Sequence, residues 1–229
     1  MKLLSLSTAE QGCSLAIIDG ERLICEDFWD AEQTHSKRLV PMIDHIIDQR
    51  TNFELAQIDG FVAAKGPGSF TGLRIGISVI KGLSFAMERP AFGVSSLDGI
   101  AYQFVFSSLP VYVMMDARRN EVYWACYHFE NGILGSKSKA KVTSPEDVLK
   151  GLSDNKSAIF AGSGSKVYKD LINTRARSPV IVDSFFDSVS ASAMIRFLLS
   201  QGNFPDNEHC SLTPCYIRKS DAEIKSPEK

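Results

Sequence analysis

The chain has 229 residues, 44% of them hydrophobic, which is enough for one large domain or for two lobes that each bury a core. The formal net charge of -2 provides no strongly basic surface, so the composition argues against a protein that binds nucleic acid without a partner. The five cysteines are odd in number and contain no C-x-x-C pair, which argues against a disulfide framework and favours a reducing cytoplasm.

The first half of the chain is predicted to open with an antiparallel meander and to continue with alternating helices and strands. Turn sequences such as Asp19-Gly20 join short runs of strand-forming residues, and apolar residues later recur at helical spacing. The predicted strands cover residues 3–7, 14–18, 22–28, 61–64 and 91–94. The predicted helices cover residues 37–50, a segment that ends near residue 87, and residues 96–106.

The second half is predicted to repeat this order of elements. Its expected strands cover residues 111–117, 121–128, 134–141, 158–161 and 180–182, and its expected helices cover residues 144–152, 165–173 and 189–201. The repeated order predicts an α/β protein of two duplicated lobes, although the residues themselves show no clear repeat. We expect the lobes to cover residues 1–108 and 109–229, with the last residues able to return to the first lobe.

The most informative motif is a glycine-dense segment between a predicted strand and a predicted helix. Its candidate residues for an anion or nucleotide are Gly66, Gly68, Ser69, Thr71, Gly72 and Arg74. It is not a P-loop, because Leu73 follows Gly72 where that motif has Lys, and it is not a dinucleotide fingerprint, because Thr71 stands where that motif has Gly or Ala. Helix N-termini attract anions, but glycines also serve tight turns and close packing. The segment is therefore either a non-standard anion loop or a structural turn.

A second candidate site lies on the predicted hairpin of the second half. Asp116, Arg118, Arg119 and Glu121 could place two guanidinium groups where they hold a phosphate or a carboxylate. The alternative is a charged turn whose arginines pair with the two acidic residues in water. The pattern itself favours the charged turn.

Neither a metal site nor a nucleophile is evident in the sequence. The histidines have no metal-ligand spacing, and no base stands near Ser69, Thr71 or Cys13. The first apolar run is too short for a signal peptide, and we find no run of the roughly 18 apolar residues that span a membrane. We therefore expect no metal, no cofactor and no membrane association.

The first two predicted helices of the first lobe carry wide apolar stripes. The second contains Gly72, Gly76, Gly82 and Ala86, small residues that permit another helix to approach closely. Its apolar residues cover more than one face of the helix. We therefore expect part of this surface to be left for a partner.

Several blocks along the whole chain resemble the bacterial threonylcarbamoyladenosine biosynthesis family TsaB, also called YeaZ. The most specific blocks are the glycine-dense segment 66–76 and the hairpin 116–123. The other matching blocks are Cys13-Ser14, His35-Ser36 with 39–43, 95–97, 214–218 and 221–223. The resemblance implies the two-lobe actin, sugar kinase and Hsp70-like (ASKHA) fold, with a mixed sheet and helices in each lobe.

The resemblance also implies a role as an accessory subunit rather than an enzyme. Such proteins bind the catalytic subunit TsaD and, with the ATPase TsaE, support transfer of a threonylcarbamoyl group to N6 of adenosine 37 in tRNAs that read ANN codons. The tRNA is reached through the complex only, and a bundle-forming surface also allows a homodimer when the partner is missing. Pairing through first-lobe helices suggests an interface that includes Leu39, Ile43, Ile46, Leu73, Ile77 and Ile80.

The residues offer separate support for the absence of catalysis. Ser7-Thr8-Ala9 stands where related chains have an Asp-Thr-Ser turn, so the carboxylate that would position a metal and its phosphates is missing. Two alternatives remain open at this point. One is an independent nucleotide-dependent phosphotransferase of the same fold, and the other is a peptidase.

Overall fold

The computed structural model describes residues 1–29, 35–152, 157–202 and 212–218, and it leaves the side chains of residues 35–38 undescribed. The matching block 221–223 therefore lies outside the described residues, as do the side chains of His35 and Ser36. Contacts divide the chain into two compact units. The first comprises Met1–Gln103 with Ser188–Pro214, and the second comprises Phe104–Asp187 with Cys215–Lys229.

The first unit is built on a five-stranded mixed sheet with the strand order β3-β2-β1-β4-β5. Strands β1 to β3 form an antiparallel meander, whereas β4 and β5 run parallel to β1. The strands are β1 (Lys2–Ser7), β2 (Cys13–Asp19), β3 (Arg22–Trp29), β4 (Gly60–Gly66) and β5 (Ala91–Ser95). The helices are α1 (His35–Arg50), α2 (Phe70–Met87), α3 (Ser96–Ala101) and α7 (Ala191–Ser200).

Nearly every residue of β1, β2 and β4 is buried, because helices cover both faces of the sheet. Alternate strand residues such as Leu4, Leu6 and Phe61 pack with α1 and α2 in one core cluster. Helices α3 and α7 pack against each other and against the strands. This arrangement explains why these strands read as continuous apolar runs.

The second unit repeats the sheet order of the first. Its order is β11-β10-β6-β7-β8, with a further strand, β9, paired to β7; β6 to β8 are antiparallel and β10 and β11 are parallel to β6. The strands are β6 (Val111–Asp116), β7 (Val122–Glu130), β8 (Ile133–Lys137), β9 (Lys141–Thr143), β10 (Ala158–Ala161) and β11 (Pro179–Ile181). The helices are α4 (Pro145–Lys150), α5 (Ser163–Val167) and α6 (Lys169–Arg175).

Three predicted elements differ from the observed ones. The helix expected over residues 96–106 ends at Ala101 and continues as one 3₁₀ turn. The helix expected over residues 165–173 is two helices that meet at Tyr168, whose φ of -108° and ψ of 26° are not helical. The third strand of the second meander is divided into β8 and β9. In each case the predicted element extends across a break in the hydrogen-bonded structure that the residue pattern does not mark.

Candidate functional site

The glycine-dense segment connects β4 to α2 and packs directly on the turn between β1 and β2. The backbone N–H of Ser69 donates to the carbonyl oxygen of Ala9 at 2.7 Å, and the hydroxyl of Thr8 donates to the carbonyl oxygen of Gly72 at 2.7 Å. A Cβ atom on Gly68 would collide with the Ala9 carbonyl, and one on Gly72 would collide with the Thr8 carbonyl. Close backbone packing within the chain therefore accounts for two of the glycines. Anion binding by this segment stays a prediction.

The remaining candidate residues of this segment begin helix α2. Gly66, the last residue of β4, has a φ of 110°, which favours glycine. Ser69 is the N-cap, and its hydroxyl accepts a hydrogen bond from the backbone N–H three residues later at 3.2 Å. Thr71 is exposed, and the guanidinium of Arg74 lies 3.8 Å from the centroid of the Phe70 ring. The Ser69 hydroxyl thus has a structural role, which weakens its case as a nucleophile.

The turn that follows β1 has no carboxylate at its first positions. Ser7 and Thr8 are buried, and Thr8 uses its hydroxyl to fix the glycine-dense segment. Among the described residues, no group of three or more His, Cys, Asp and Glu side chains could hold a metal ion. This end of the sheet therefore offers hydroxyl and backbone groups, and the part of the chain that the structure describes places no cluster of carboxylates there for a hard cation.

The burial of six helix residues corrects the predicted partner interface. All six have exposed fractions of 5% or less and lie inside the first unit, so they cannot contact a second protein without unfolding. These residues are Leu39, Ile43, Ile46, Leu73, Ile77 and Ile80. These residues are apolar, as the spacing indicated, but they lie on the sides of the helices that pack in the core of the first unit.

The outer face of α2 is the surface that remains available. It comprises Thr71, Ile75, Ser78, Val79, Gly82, Phe85 and Ala86, all exposed or half-buried. Phe85 is 87% exposed, and a Cβ atom on Gly82 would meet no atom within 4 Å. On α1, Val40 is likewise 55% exposed. Glycine lowers helix stability, and a side chain at Gly82 would meet no described atom that explains its presence, so the outer face suits the close approach of another helix.

The apolar character of both faces makes α2 unusual in composition. Within the described residues it is the one helix long and apolar enough to cross a membrane, with a mean hydropathy of 1.3 over 18 residues, 33% of them buried. The sequence analysis found no run of about 18 apolar residues, and α2 does contain the charged residues Arg74 and Lys81. One such helix is weak evidence for a membrane span, since core helices also pass this test.

The second candidate site is the hairpin between β6 and β7. The backbone N–H of Arg118 donates to Oδ1 of Asp116 at 2.9 Å, and the Arg118 guanidinium lies 3.4 Å from Oδ2 of the same carboxylate. The three residues from Arg118 to Asn120 are exposed and have positive φ angles. The structure therefore contains the Asp116–Arg118 pairing that the charged-turn interpretation expects.

Sequence reasoning gave no role to Arg218, which contacts this hairpin. Its guanidinium Nη1 donates to the carbonyl oxygen of Ala117 at 2.9 Å and to Oε2 of Glu121 at 3.1 Å. The Arg218 side chain is only 16% exposed. The one signal in the sequence was its place in the matching block 214–218, which spacing alone could not connect to a hairpin about a hundred residues earlier.

Comparisons with known proteins agree with this architecture. Residues 29–225 match the family described as "TsaD: tRNA N6-adenosine threonylcarbamoyltransferase". The "tRNA threonylcarbamoyladenosine biosynthesis protein TsaB" of Escherichia coli K12 is 30% identical over 100% of both chains. The protein of that name from Bacillus subtilis is 25% identical over 98% of this chain and 97% of its own.

A solved structure, "YeaZ from Pseudomonas aeruginosa", has a TM-score of 0.78 and 29% identity, and the match covers 94% of this chain and 99% of that one. Together with the two mixed sheets of identical order, this similarity confirms the predicted two-lobe ASKHA-type α/β fold. The chain belongs to the TsaD-like threonylcarbamoyltransferase family and, within it, to the TsaB (YeaZ) proteins of tRNA threonylcarbamoyladenosine biosynthesis.

Proposed function

We propose that this chain is a non-catalytic subunit of the tRNA threonylcarbamoyladenosine machinery that binds a TsaD-type catalytic subunit through the outer face of α2. It acts in the cytoplasm, with a TsaE-type ATPase as a further partner, and meets tRNA only within the assembled complex. The observation that carries the proposal is the outer face of α2, whose residues are exposed or half-buried among the described residues, with Gly82 at its centre. A helix with this face exposed gains stability when an apolar partner covers it.

The size and composition of this face favour a helical partner. Ser78, Gly82 and Ala86 follow one another at four-residue intervals, so small side chains form a groove between the flanking Val79 and Phe85. Since the pairing uses one helix face, a second copy of this chain is an alternative occupant when the partner is missing.

The absence of catalysis is supported by the chemistry of the candidate nucleophiles. Cys13 is 2% exposed, and its sulfur lies 3.4 Å from the sulfur of Met42 in the core. The Ser69 hydroxyl caps α2. The turn at 7–9 supplies no carboxylate for a metal-bound nucleotide. These features disfavour both a peptidase and an independent phosphotransferase.

Reconstitution tests the proposal. The complete set of purified subunits is incubated with unmodified tRNA, threonine, bicarbonate and ATP, and threonylcarbamoyladenosine is quantified in the digested tRNA. We expect modification to stop when this chain is omitted and to return when it is added, while the chain alone modifies nothing. Modification at the full rate without the chain, or by the chain alone, would contradict the proposal.

Calorimetry with magnesium and ATP on the isolated chain addresses the phosphotransferase alternative. A subunit without a metal-binding carboxylate should give no binding heat at micromolar concentrations. A well-defined isotherm with turnover of the nucleotide would favour an independent enzyme.

A further inference from the structure

The turn of the β6–β7 hairpin has an unusual backbone. Arg118, Arg119 and Asn120 have φ angles of 61°, 55° and 58°, so three successive residues that are not glycine occupy the left-handed region. The backbone N–H of Glu121 donates to the carbonyl oxygen of Arg118 at 3.1 Å and closes the turn. Such positions favour Gly and Asn, and arginine is a costly choice for them.

The contacts seen for Arg118 do not explain that choice. Its side chain is 87% exposed, and its ion pair with Asp116 spans 3.4 Å. Exposed ion pairs contribute little to stability, so this contact cannot offset the unfavourable backbone. A residue type that its own backbone conformation disfavours is often found where the side chain serves a function.

The base of the turn is nevertheless held firmly. Arg218 bridges the Ala117 carbonyl and the Glu121 carboxylate, and the backbone N–H of Asp116 donates to the Ser163 hydroxyl at 3.1 Å. The backbone N–H of Ala117 also donates to the carbonyl oxygen of Glu121 at 3.0 Å. Because the base of the turn is fixed, the tip carries its two arginines on an ordered backbone, which lowers the entropy cost of ordering the loop when an anion binds.

We propose that the tip of this hairpin, Arg118 with Arg119, binds phosphate oxygens of the RNA backbone when the substrate is engaged by the assembled complex. The inference rests on the proposed function, because only then is RNA the substrate. Guanidinium groups match the geometry of phosphate, and here they lie on a chain whose net charge is negative. An exposed convex tip suits an extended polyanion better than a free nucleotide, which usually occupies a concave pocket.

The variant Arg118→Gly gives a sharp test, because its effects on stability and on RNA binding should have opposite signs. Glycine relieves the left-handed backbone, so we expect the Tm of the isolated chain to rise by about 2 °C. In the reconstituted complex we expect the KM for tRNA to rise about tenfold at low salt, with a smaller difference at high salt, while kcat stays unchanged. The matched control is Arg175→Ala, which removes an exposed arginine of α6 in the same unit.

The KM for tRNA, the KM for ATP and co-purification with the catalytic subunit together show whether the tip binds RNA, a nucleotide or an acidic protein surface. An unchanged KM for tRNA in Arg118→Gly overturns the proposal, as does an equal effect of Arg175→Ala. A raised KM for ATP with an unchanged KM for tRNA would assign the tip to a nucleotide, and loss of co-purification with the catalytic subunit would assign it to an acidic protein surface. Both results also overturn it. The proposed function is tested by omitting the whole chain. A failure of this inference can therefore be distinguished from a failure of the proposed function.

Discussion

The carboxylate oxygen Oε1 of Glu26 accepts a hydrogen bond from the hydroxyl of Ser190 at 2.8 Å, although 164 positions separate the two residues in the chain. The same carboxylate accepts hydrogen bonds from the backbone N–H of Ser192 at 3.1 Å and from its hydroxyl. Ser190 is the N-cap of α7, so β3 supplies a negative charge to the N-terminus of this helix. A late helix is thereby fixed to the sheet of the first unit.

Replacing this carboxylate should weaken the first unit. We expect Glu26→Gln to lower the free energy of unfolding by about 1–2 kcal/mol, because an amide loses the charge at the helix N-terminus and one acceptor oxygen. Urea unfolding followed by circular dichroism measures the change. The control is Glu130→Gln at an exposed strand end, and equal losses in the two variants would contradict this role for Glu26.

Two glycines of α2 should respond to the same substitution in opposite directions. Gly72→Ala should lower the free energy of unfolding by about 1–3 kcal/mol, because the new Cβ meets the Thr8 carbonyl. Gly82→Ala should raise it by about 0.5–1 kcal/mol, because its Cβ enters open space and alanine favours the helix. Urea midpoints of the two isolated variants test the pair. A stabilising Gly72→Ala would mean that the loop does not pack on the β1–β2 turn as described.

A substitution on the outer face of α2 should affect partner binding, whereas a substitution on its buried side should affect stability. Gly82→Glu should leave the fold intact but abolish co-purification with the TsaD-type subunit, since a charged side chain blocks close helix approach. Ile77→Ala should instead lower the free energy of unfolding by about 2–4 kcal/mol, because Ile77 is 5% exposed within the core.

The control for charge on a helix is Asn173→Glu, at an exposed position of α6 in the second unit. It should bind the partner as the unmodified chain does. Full binding by Gly82→Glu would exclude the outer face of α2 as the interface.

The order of elements could be predicted from the sequence because it depends on local patterns. Short runs of strand-forming residues and the Asp19-Gly20 turn predicted the meander, and apolar spacing predicted α1 and α2. The orientation of α2 could not be predicted, since both of its faces are apolar and only the sheet decides which one is buried. For the same reason Gly72 and Gly82 look alike in sequence, although a Cβ atom on Gly72 would collide with the Thr8 carbonyl and one on Gly82 would meet no described atom within 4 Å. The contact of Arg218 with the β6–β7 hairpin could not be predicted either, because it depends on the tertiary structure.

The phenol of Tyr112 provides a pH-dependent test of the second unit. Burial raises the pKa of Tyr112 to about 12, and the neighbouring Cys126 thiol contributes further. The ring stacks between Trp124 and Phe160, with centroid distances of 6.4 and 5.4 Å, so Tyr112→Phe keeps the packing and removes the titrating group. The variant therefore isolates the phenol proton.

Since the pKa in the folded protein lies above the unfolded value of about 10, the folded chain keeps a proton that the unfolded chain loses. This contribution to stability is complete below about pH 10 and is lost as the pH rises through about 12. Because Tyr112 is half-exposed, we expect a total of about 1–2 kcal/mol rather than the full value for two pKa units. Urea unfolding from pH 8 to pH 11 should show the free energy of the unmodified protein falling more steeply than that of Tyr112→Phe. Parallel curves would mean that the phenol is as well solvated in the folded protein as in the unfolded chain.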